Sequence, residues 1–200
     1  MDIVRIRTIR DPSSFLHAIL NAYFLPYRSN QFQGLEIQRR NLVGEFRKQL
    51  AARLTHLHDP SQSSMVRVYD VLSRGRYREL ARRGLFVFSL ETMVAELTNP
   101  LVLLDDKYLE LIADVCFKDI YILDAVQHDV YVCSEDQDVH YRHRPSIIVL
   151  ALPGHFETVG LRLSNGDVIT LFDPSHPLIQ WLYERYAHVQ STYRETDEAV

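Results

Sequence analysis

Apolar and polar residues follow two different periods at the start of the chain. Residues 3–8, IVRIRT, alternate apolar with mostly basic positions, which predicts a short, half-buried strand. The next apolar positions lie on one face of a helix: Phe15, Leu16, Ile19, Ala22 and Tyr23. Asp11 suits an N-cap and Pro12 suits the first helical position. We therefore expect a helix that begins at this Asp-Pro pair.

Along the rest of the chain, helices come first and strands follow. A loop is predicted at 58–64, and helices are predicted at 37–54, 65–83, 91–97 and 105–114. A hairpin turn is predicted at 164–167, and strands at 119–124, 129–133, 144–152, 155–163 and 167–172. A last helix, 178–189, follows Asp173-Pro174. This order predicts an α+β fold with one domain over residues 1–190 and a polar, flexible tail over 191–200.

The composition is that of a globular protein. Hydrophobic residues make up 46% of the chain and charged residues 24%. The longest wholly apolar run, 147–152, is too short to cross a bilayer, and the charged N-terminus lacks the apolar segment of a signal peptide. The two cysteines, Cys116 and Cys133, indicate a reducing compartment and core packing rather than a disulfide framework. No cofactor or metal site is predicted, because the histidines and cysteines lack the spacing of zinc ligands.

Charge is distributed unevenly along the chain. The net charge of −4 combines +8 over residues 1–88 with −12 over residues 89–200. We interpret this as two solvated surfaces of opposite sign, with steering of a charged partner as the alternative. The arginines within 74–83 are compatible with nucleic acid, but no aromatic or glycine-rich motif accompanies them. Neither nucleic acid nor a membrane is therefore predicted as a partner.

His155 and Glu157 form the first candidate site. They lie two residues apart on a predicted strand, so both side chains point to the same face. A carboxylate in that position can accept the imidazole N–H and orient the ring as a general base. The alternative is a surface histidine beside a surface glutamate.

Ser14 is the second candidate. It lies at the N-terminal end of the first predicted helix, where backbone N–H groups and the helix dipole favour negative charge. This position suits a nucleophile and an oxyanion. The alternative is ordinary capping, in which Asp11 and the serine hydroxyls satisfy the first helical turn.

Three segments together resemble the ovarian tumour (OTU) family of papain-like cysteine proteases, in the versions encoded by large DNA viruses. The segment at 11–19, DPSSFLHAI, is similar to the family's D-G-x-C nucleophile motif and the helix that follows it. Residues 108–114 and 119–124, YLELIAD and DIYILD, resemble its middle segment. Residues 146–160, SIIVLALPGHFETVG, resemble its histidine motif. The resemblance implies an OTU-like α+β fold, with a small mixed sheet flanked by helices.

The resemblance also implies a role for each site residue. Ser14 occupies the nucleophile position, His155 is the general base, and Glu157 orients it. Asp11 is the loop acid whose surroundings help to build the oxyanion hole. Cys116 and Cys133 match no catalytic position of the family.

The sequence departs from the family at two positions. Serine replaces the cysteine nucleophile at position 14, and a serine hydroxyl is far more basic than a thiol. Proline replaces glycine at position 12, and it has neither an N–H nor glycine's conformational range. The leading hypothesis is a catalytically impaired, deubiquitinase-like viral protein that binds ubiquitin, a ubiquitin-like protein or another viral or host protein. The alternatives are an active hydrolase that uses Ser14, an enzyme whose native cysteine was replaced by Ser14, and a structural virion protein. The expected location is the host cell cytoplasm, and packaging in the virion is left open.

Overall fold

The computed structural model describes residues 2–56, 90–104, 106–132 and 141–197. Its strands are β1 Asp2–Ile6, β2 Gln31–Phe32, β3 Leu35–Glu36, β4 Asp119–Asp124, β5 Asp129–Val130, β6 Ser146–Leu152, β7 His155–Arg162 and β8 Val168–Ile169. Its α-helices are α1 Ser14–Tyr23, α2 Leu25–Ser29, α3 Arg39–His56, α4 Leu90–Thr98, α5 Leu109–Cys116 and α6 Pro177–Asp197. A 3-10 turn at Asp106–Tyr108 leads into α5.

A mixed sheet forms the centre of the fold. Its strand order is β1-β7-β6-β4-β5, and β8 pairs with the end of β7. β4 and β6 are parallel, whereas the other pairs in this sheet are antiparallel. The longest apolar run of the sequence lies in β6, between β4 and β7, because a strand covered on both faces needs a nearly continuous apolar sequence. The predicted α+β architecture is confirmed.

Alternate residues of the central strands face two separate cores. Ile120 and Ile147 pack with α1, α3 and α5 on one face, whereas Tyr121 and Ile148 pack with α6 on the other. Helix α1 is almost entirely buried and lies along β7. The Thr158 hydroxyl of β7 donates to the carbonyl of residue 18 at 2.8 Å. This packing brings the N-terminus of α1 beside the start of β7.

Helix α1 begins later than predicted, at Ser14 rather than at Pro12, whereas α6 begins at Pro177, one residue before its predicted start at 178. An Asp-Pro-Ser turn precedes each helix. In each case the aspartate carboxylate accepts the backbone N–H of the residue two positions on, and this closes a turn before the helix starts. The prediction of Asp11 as N-cap is therefore wrong, because Ser13 holds that position. Helix α6 also continues beyond its predicted end, to Asp197.

The remaining predicted helices, strands and loops agree with the structure in some cases and differ from it in others. The strand at 119–124 and the hairpin across 164–167 are confirmed. The strand predicted at 129–133 is shorter than expected, since β5 ends at Val130. Helix α2 and the β2–β3 hairpin have no counterpart among the predictions. The loop predicted at 58–64 and the helix predicted at 65–83 lie outside the described residues.

One of the two cysteines, Cys116, is buried, as predicted. Burial raises the pKa of its thiol to about 11, so it is not a resting thiolate. Cys133 lies outside the described residues. Within the described ranges, no helix combines the length and apolar character needed to cross a membrane.

Candidate active site

A turn over residues 11–14 leads into α1. The Ser13 N–H donates to Asp11 Oδ1 at 2.8 Å, and the Ser14 N–H donates to the Asp11 carbonyl at 3.0 Å. The Pro12 carbonyl accepts the N–H of Leu104 at 2.9 Å, which ties the turn to the segment before α5. Pro12 itself has no N–H to offer. The turn is thus held from within and from a neighbouring segment, and it places Ser14 at the first helical position.

The second oxygen of Asp11 is bound by a buried histidine. His17 Nε2 lies 3.1 Å from Asp11 Oδ2, and His17 Nδ1 lies 2.7 Å from the Tyr27 hydroxyl. A carboxylate only accepts, so Nε2 carries the proton and Nδ1 accepts from Tyr27. Burial lowers the pKa of His17, and the neighbouring Asp11 only partly counteracts this effect. His17 is therefore a neutral structural link between the turn and α2.

A buried arginine also binds the turn over residues 11–14. Arg47 of α3 is 1% exposed, and it donates to the Ser13 hydroxyl at 2.8 Å. Its remaining donors reach the backbone carbonyls of residues 96, 97, 99 and 102. Burial lowers the pKa of Arg47, while Asp11 and Tyr108 act in the other direction. Arg47 thereby joins α3, the end of α4 and the turn in one hydrogen-bonded unit.

Three residues of the site, His17, Tyr27 and Arg47, are not among those predicted from the sequence. His17 stands inside the quoted motif, and its position three residues after Ser14 was the only available signal. Tyr27 and Arg47 are remote in sequence and carry no local pattern. Arg47 occurs in a polar helix whose other arginines are exposed or half-buried.

His155 and Glu157 share one face of β7, but they do not form the expected hydrogen bond. His155 Nε2 lies 3.8 Å from Glu157 Oε1, which is beyond hydrogen-bond distance. The Glu157 carboxylate instead accepts from Arg5 of β1, with Nε at 2.9 Å. The imidazole–carboxylate hydrogen bond predicted from their spacing is therefore not formed: Arg5 binds Glu157 Oε2, while Oε1 lies 3.8 Å from the imidazole.

Two buried polar atoms of the site lack a hydrogen-bond partner among the described residues. They are Ser14 Oγ and His155 Nδ1. Their residues are 0% and 5% exposed. The flanking residues Phe15 and Phe156 are in contact, with ring centroids 4.7 Å apart, so the two residues lie at adjoining ends of α1 and β7. The nucleophile and base positions are thus neighbours without a hydrogen bond between them.

Charged groups surround the imidazole. Burial lowers the pKa of His155, and the positive charges of Arg10 and Arg5 add to this effect. Glu157 and Asp11 act in the opposite direction. His155 is therefore uncharged at neutral pH, as a general base must be before it accepts a proton.

Comparison with known proteins identifies the fold of this chain. No family model and no curated protein matches the sequence. The solved structure described as an ovarian tumour (OTU) domain in complex with ubiquitin matches with a TM-score of 0.56 and 14% identity, over 97% of this chain and 88% of that chain. This chain has the OTU fold. A second structure, the OTU domain of OTUD1, matches with a TM-score of 0.43 and 13% identity, over 78% of this chain and 85% of that chain.

Within the OTU fold, Asp11 and Ser14 lie at the start of the buried helix and His155 at the start of a sheet strand packed against it. The structure places Asp11, Ser14 and His155 close together, and Glu157 lies two residues after His155 on β7. Their catalytic roles stay predictions from the sequence resemblance. The geometry adds three residues: Arg5, which binds Glu157, and His17 and Arg47, which bind Asp11 and Ser13 of the turn.

Proposed function

We propose that this protein binds ubiquitin or a ubiquitin-like protein at the surface over the N-terminus of α1 and the start of β7, and that its hydrolytic chemistry is lost or strongly impaired. The observation that carries the proposal is the absence of a hydrogen bond between the nucleophile and base positions. Ser14 Oγ and His155 Nδ1 are both buried, and neither has a partner among the described residues. A serine needs its base within hydrogen-bond reach to lose its proton during attack.

The chemistry of position 14 supports impairment. A cysteine beside a histidine can rest as a thiolate, because its pKa falls readily in such surroundings. A serine hydroxyl does not ionise in this way, so it depends entirely on the base. Losing the nucleophile of a triad that acts as a unit costs about 10⁶-fold in rate.

Pro12 supports impairment independently. It replaces a residue that, in the family pattern, supplies backbone freedom in the oxyanion loop, and it lacks an N–H. Removing one oxyanion donor costs about 10²–10³-fold. The Pro12 carbonyl is also occupied by the Leu104 N–H, which opposes rearrangement of the loop.

A protein partner is supported by the fold. The OTU domain that matches 97% of this chain was solved with ubiquitin bound. A binding function needs the surface that contacts the partner but not a reactive serine, so it is compatible with both departures at positions 12 and 14.

Binding and hydrolysis can be tested separately on the same protein. We expect calorimetric titration with ubiquitin to give saturable binding, and we expect no cleavage of a ubiquitin conjugate. Ser14→Cys tests whether the site still supports thiol chemistry, with a thiol-reactive ubiquitin probe as the readout. Pro12→Gly combined with Ser14→Cys tests whether the loop is the further obstacle.

Each outcome has a distinct meaning. Cleavage by the unmodified protein that Ser14→Ala abolishes would contradict impairment and favour a serine hydrolase. Strong labelling of Ser14→Cys alone would indicate that the architecture is intact and that Ser14 replaces a working cysteine. Absence of ubiquitin binding would contradict the proposed partner and favour a structural role of the fold.

A further inference from the structure

A cavity lies on the face of the sheet opposite to the candidate active site. Its volume is ≈ 530 Å³, which is within the usual range of small-ligand pockets. The starts of β4 and β6 form one wall, and the turn over residues 173–176 and the first two turns of α6 form the other. Helix α1 packs on the other face of these strands. The cavity is therefore separate from Ser14 and His155.

Tyrosine side chains line this cavity. Tyr121 and Tyr141 are buried and stack on each other with ring centroids 4.2 Å apart. Tyr183 of α6 meets Tyr141 edge-on, with centroids 6.2 Å apart, and is only half-buried. These ring contacts hold the tyrosines in place within the protein. Aromatic rings of this kind attract cations, because their faces carry negative charge.

Carboxylates line the same cavity. Asp119 lies on the strand side and is paired with Arg144 at 2.7 Å. Asp173 and Glu184 are exposed and form no salt bridge with a described residue. The N–H and hydroxyl of Ser175 both donate to Asp173 Oδ1, so Oδ2 remains available to another donor. Two carboxylates at the cavity can therefore accept from a ligand.

Positive charge is scarce around the cavity. Among the described residues that line it there is no lysine or arginine, and His143 is the one side chain that can carry a positive charge. The cavity also lies in the part of the chain, residues 89–200, whose net charge is −12. The local field therefore favours a cation over an anion.

We propose that this cavity binds a guanidinium group, as carried by an arginine side chain. A guanidinium is planar and has five N–H donors, so it can lie against a tyrosine ring and donate to separate carboxylates at the same time. An ammonium is a compact point charge with three donors and matches this set of groups less well. The chain itself contains such a contact, since the Arg39 guanidinium lies 5.1 Å from the centre of the Tyr27 ring.

The inference does not depend on the proposed function. The sheet separates the cavity from the surface over the N-terminus of α1, so occupation of one leaves the other accessible. Failure of ubiquitin binding would therefore leave the guanidinium site intact, and failure of guanidinium binding would leave the proposed function intact.

The first test compares an arginine derivative with its neutral analogue. Nα-acetyl-L-arginine methylamide and the corresponding citrulline compound, which has the same shape without the charge, are titrated into isotope-labelled protein and followed by NMR. We expect saturable shifts of the Gln180, Tyr183 and Glu184 amides with the arginine compound, and binding at least about tenfold weaker with citrulline. Equal affinity of the two compounds, or no saturable shift with either, would overturn the proposal.

A matched pair of charge variants locates the ligand. Glu184→Gln should weaken binding of the arginine compound by about threefold to fivefold, because it removes one carboxylate from the cavity. Glu91→Gln changes an exposed glutamate of α4, which packs on the other face of the sheet, and should leave the affinity unchanged. An equal loss in both variants would indicate general attraction by acidic surface and would contradict a defined site.

A second pair of variants tests the aromatic contact. Tyr183→Leu removes the ring and should weaken binding by about threefold or more, whereas Tyr183→Phe keeps the ring and should retain binding. Wild-type affinity in Tyr183→Leu would contradict a contact between the ligand and this ring. Thermal unfolding shows whether both variants are folded, and the Glu184→Gln comparison decides the proposal if Tyr183→Leu is not.

Two further ligands identify the source of the guanidinium. Free L-arginine has a carboxylate that the acidic lining repels, so we expect it to bind more weakly than the blocked compound, as for a site that takes an arginine side chain of a protein. Tighter binding of free arginine would support the guanidinium site with the amino acid as its ligand. Nα-acetyl-L-lysine methylamide should bind more weakly than the arginine compound, and equal affinity would contradict recognition of a guanidinium.

Discussion

Two turns in the described part of the chain begin with the same three residues, Asp-Pro-Ser, and have the same backbone hydrogen bonds. At 11–14, Ser13 N–H donates to Asp11 Oδ1 at 2.8 Å and the next N–H donates to the Asp11 carbonyl at 3.0 Å. At 173–176, Ser175 N–H donates to Asp173 Oδ1 at 2.8 Å and the next N–H donates to the Asp173 carbonyl at 2.9 Å. Each turn leads into a helix.

The two turns differ in what surrounds them. The Ser175 hydroxyl is exposed and donates back to Asp173, and these bonds lower the pKa of that carboxyl. The Ser13 hydroxyl is buried and accepts from Arg47, and Asp11 also binds His17. The same local sequence therefore forms a self-contained cap at one place and part of a buried network at the other.

The largest expected loss of stability follows from breaking the buried hydrogen bonds between Arg47 and the turn at 11–14, which have no counterpart at the turn over 173–176. Arg47→Met leaves the Ser13 hydroxyl and several carbonyls without their donor. We expect the free energy of unfolding to fall by about 3–5 kcal/mol, as is usual when one member of a buried charged network is removed. Urea denaturation measures the change. Lys48→Met, at an exposed position of the same helix, is the control and should change stability by no more than about 0.5 kcal/mol. Similar losses in both variants would contradict a special role of Arg47.

A smaller effect is expected when the two aspartates are compared directly. Asp11→Ala removes the acceptor of the buried His17 N–H and should destabilise by about 1–3 kcal/mol. Asp173→Ala removes only local bonds in an exposed turn, so its effect should be smaller. Thermal or urea unfolding of the two variants checks the order. The reverse order would show that the turn itself, and not its surroundings, determines the stabilisation.

The smallest expected effect is on the pH dependence of stability. Burial lowers the pKa of His17 below its ordinary value of 6.5, so the unfolded chain takes up a proton before the folded protein does. Stability should therefore fall as the pH drops from 6.5 through the lowered folded-state pKa. His17→Gln should reduce the loss in urea midpoint between about pH 7.5 and about pH 5. His155 contributes in the same direction, because its pKa is lowered too, so part of the dependence should remain. An unchanged dependence in His17→Gln would mean that the buried histidine titrates alike in the folded and unfolded states.

The local parts of the fold could be predicted from short-range pattern. The apolar run at 147–152 predicted a buried strand, and this run lies in β6. Phe15, Leu16 and Ile19 predicted the buried face of α1, and all three are fully buried. The start of α1 was placed too early, because the Asp-Pro pair suits both a cap and the turn that precedes it.

The candidate site was predicted only in part. Asp11, Ser14 and His155 were predicted from motifs, and their catalytic roles stay predictions. Glu157 was expected to accept from His155, but its carboxylate accepts from Arg5. That exchange follows from the register of β1 on β7, in which Arg5 is paired with the residue at 159. No spacing within a single strand contains this information.

The sequence by itself determined the Asp-Pro-Ser turns, the helices and strands of strong period and the presence of serine and proline at positions 14 and 12. The tertiary structure decided which turn became buried, which donor reached each carboxylate and which polar atoms remained without partners. The physical reason is the separation in sequence of the residues that interact. A turn depends on hydrogen bonds between residues two or three apart. The partners of Ser13, His17 and Glu157 are instead Arg47, Tyr27 and Arg5, which only the packing of α3, α2 and β1 brings to them.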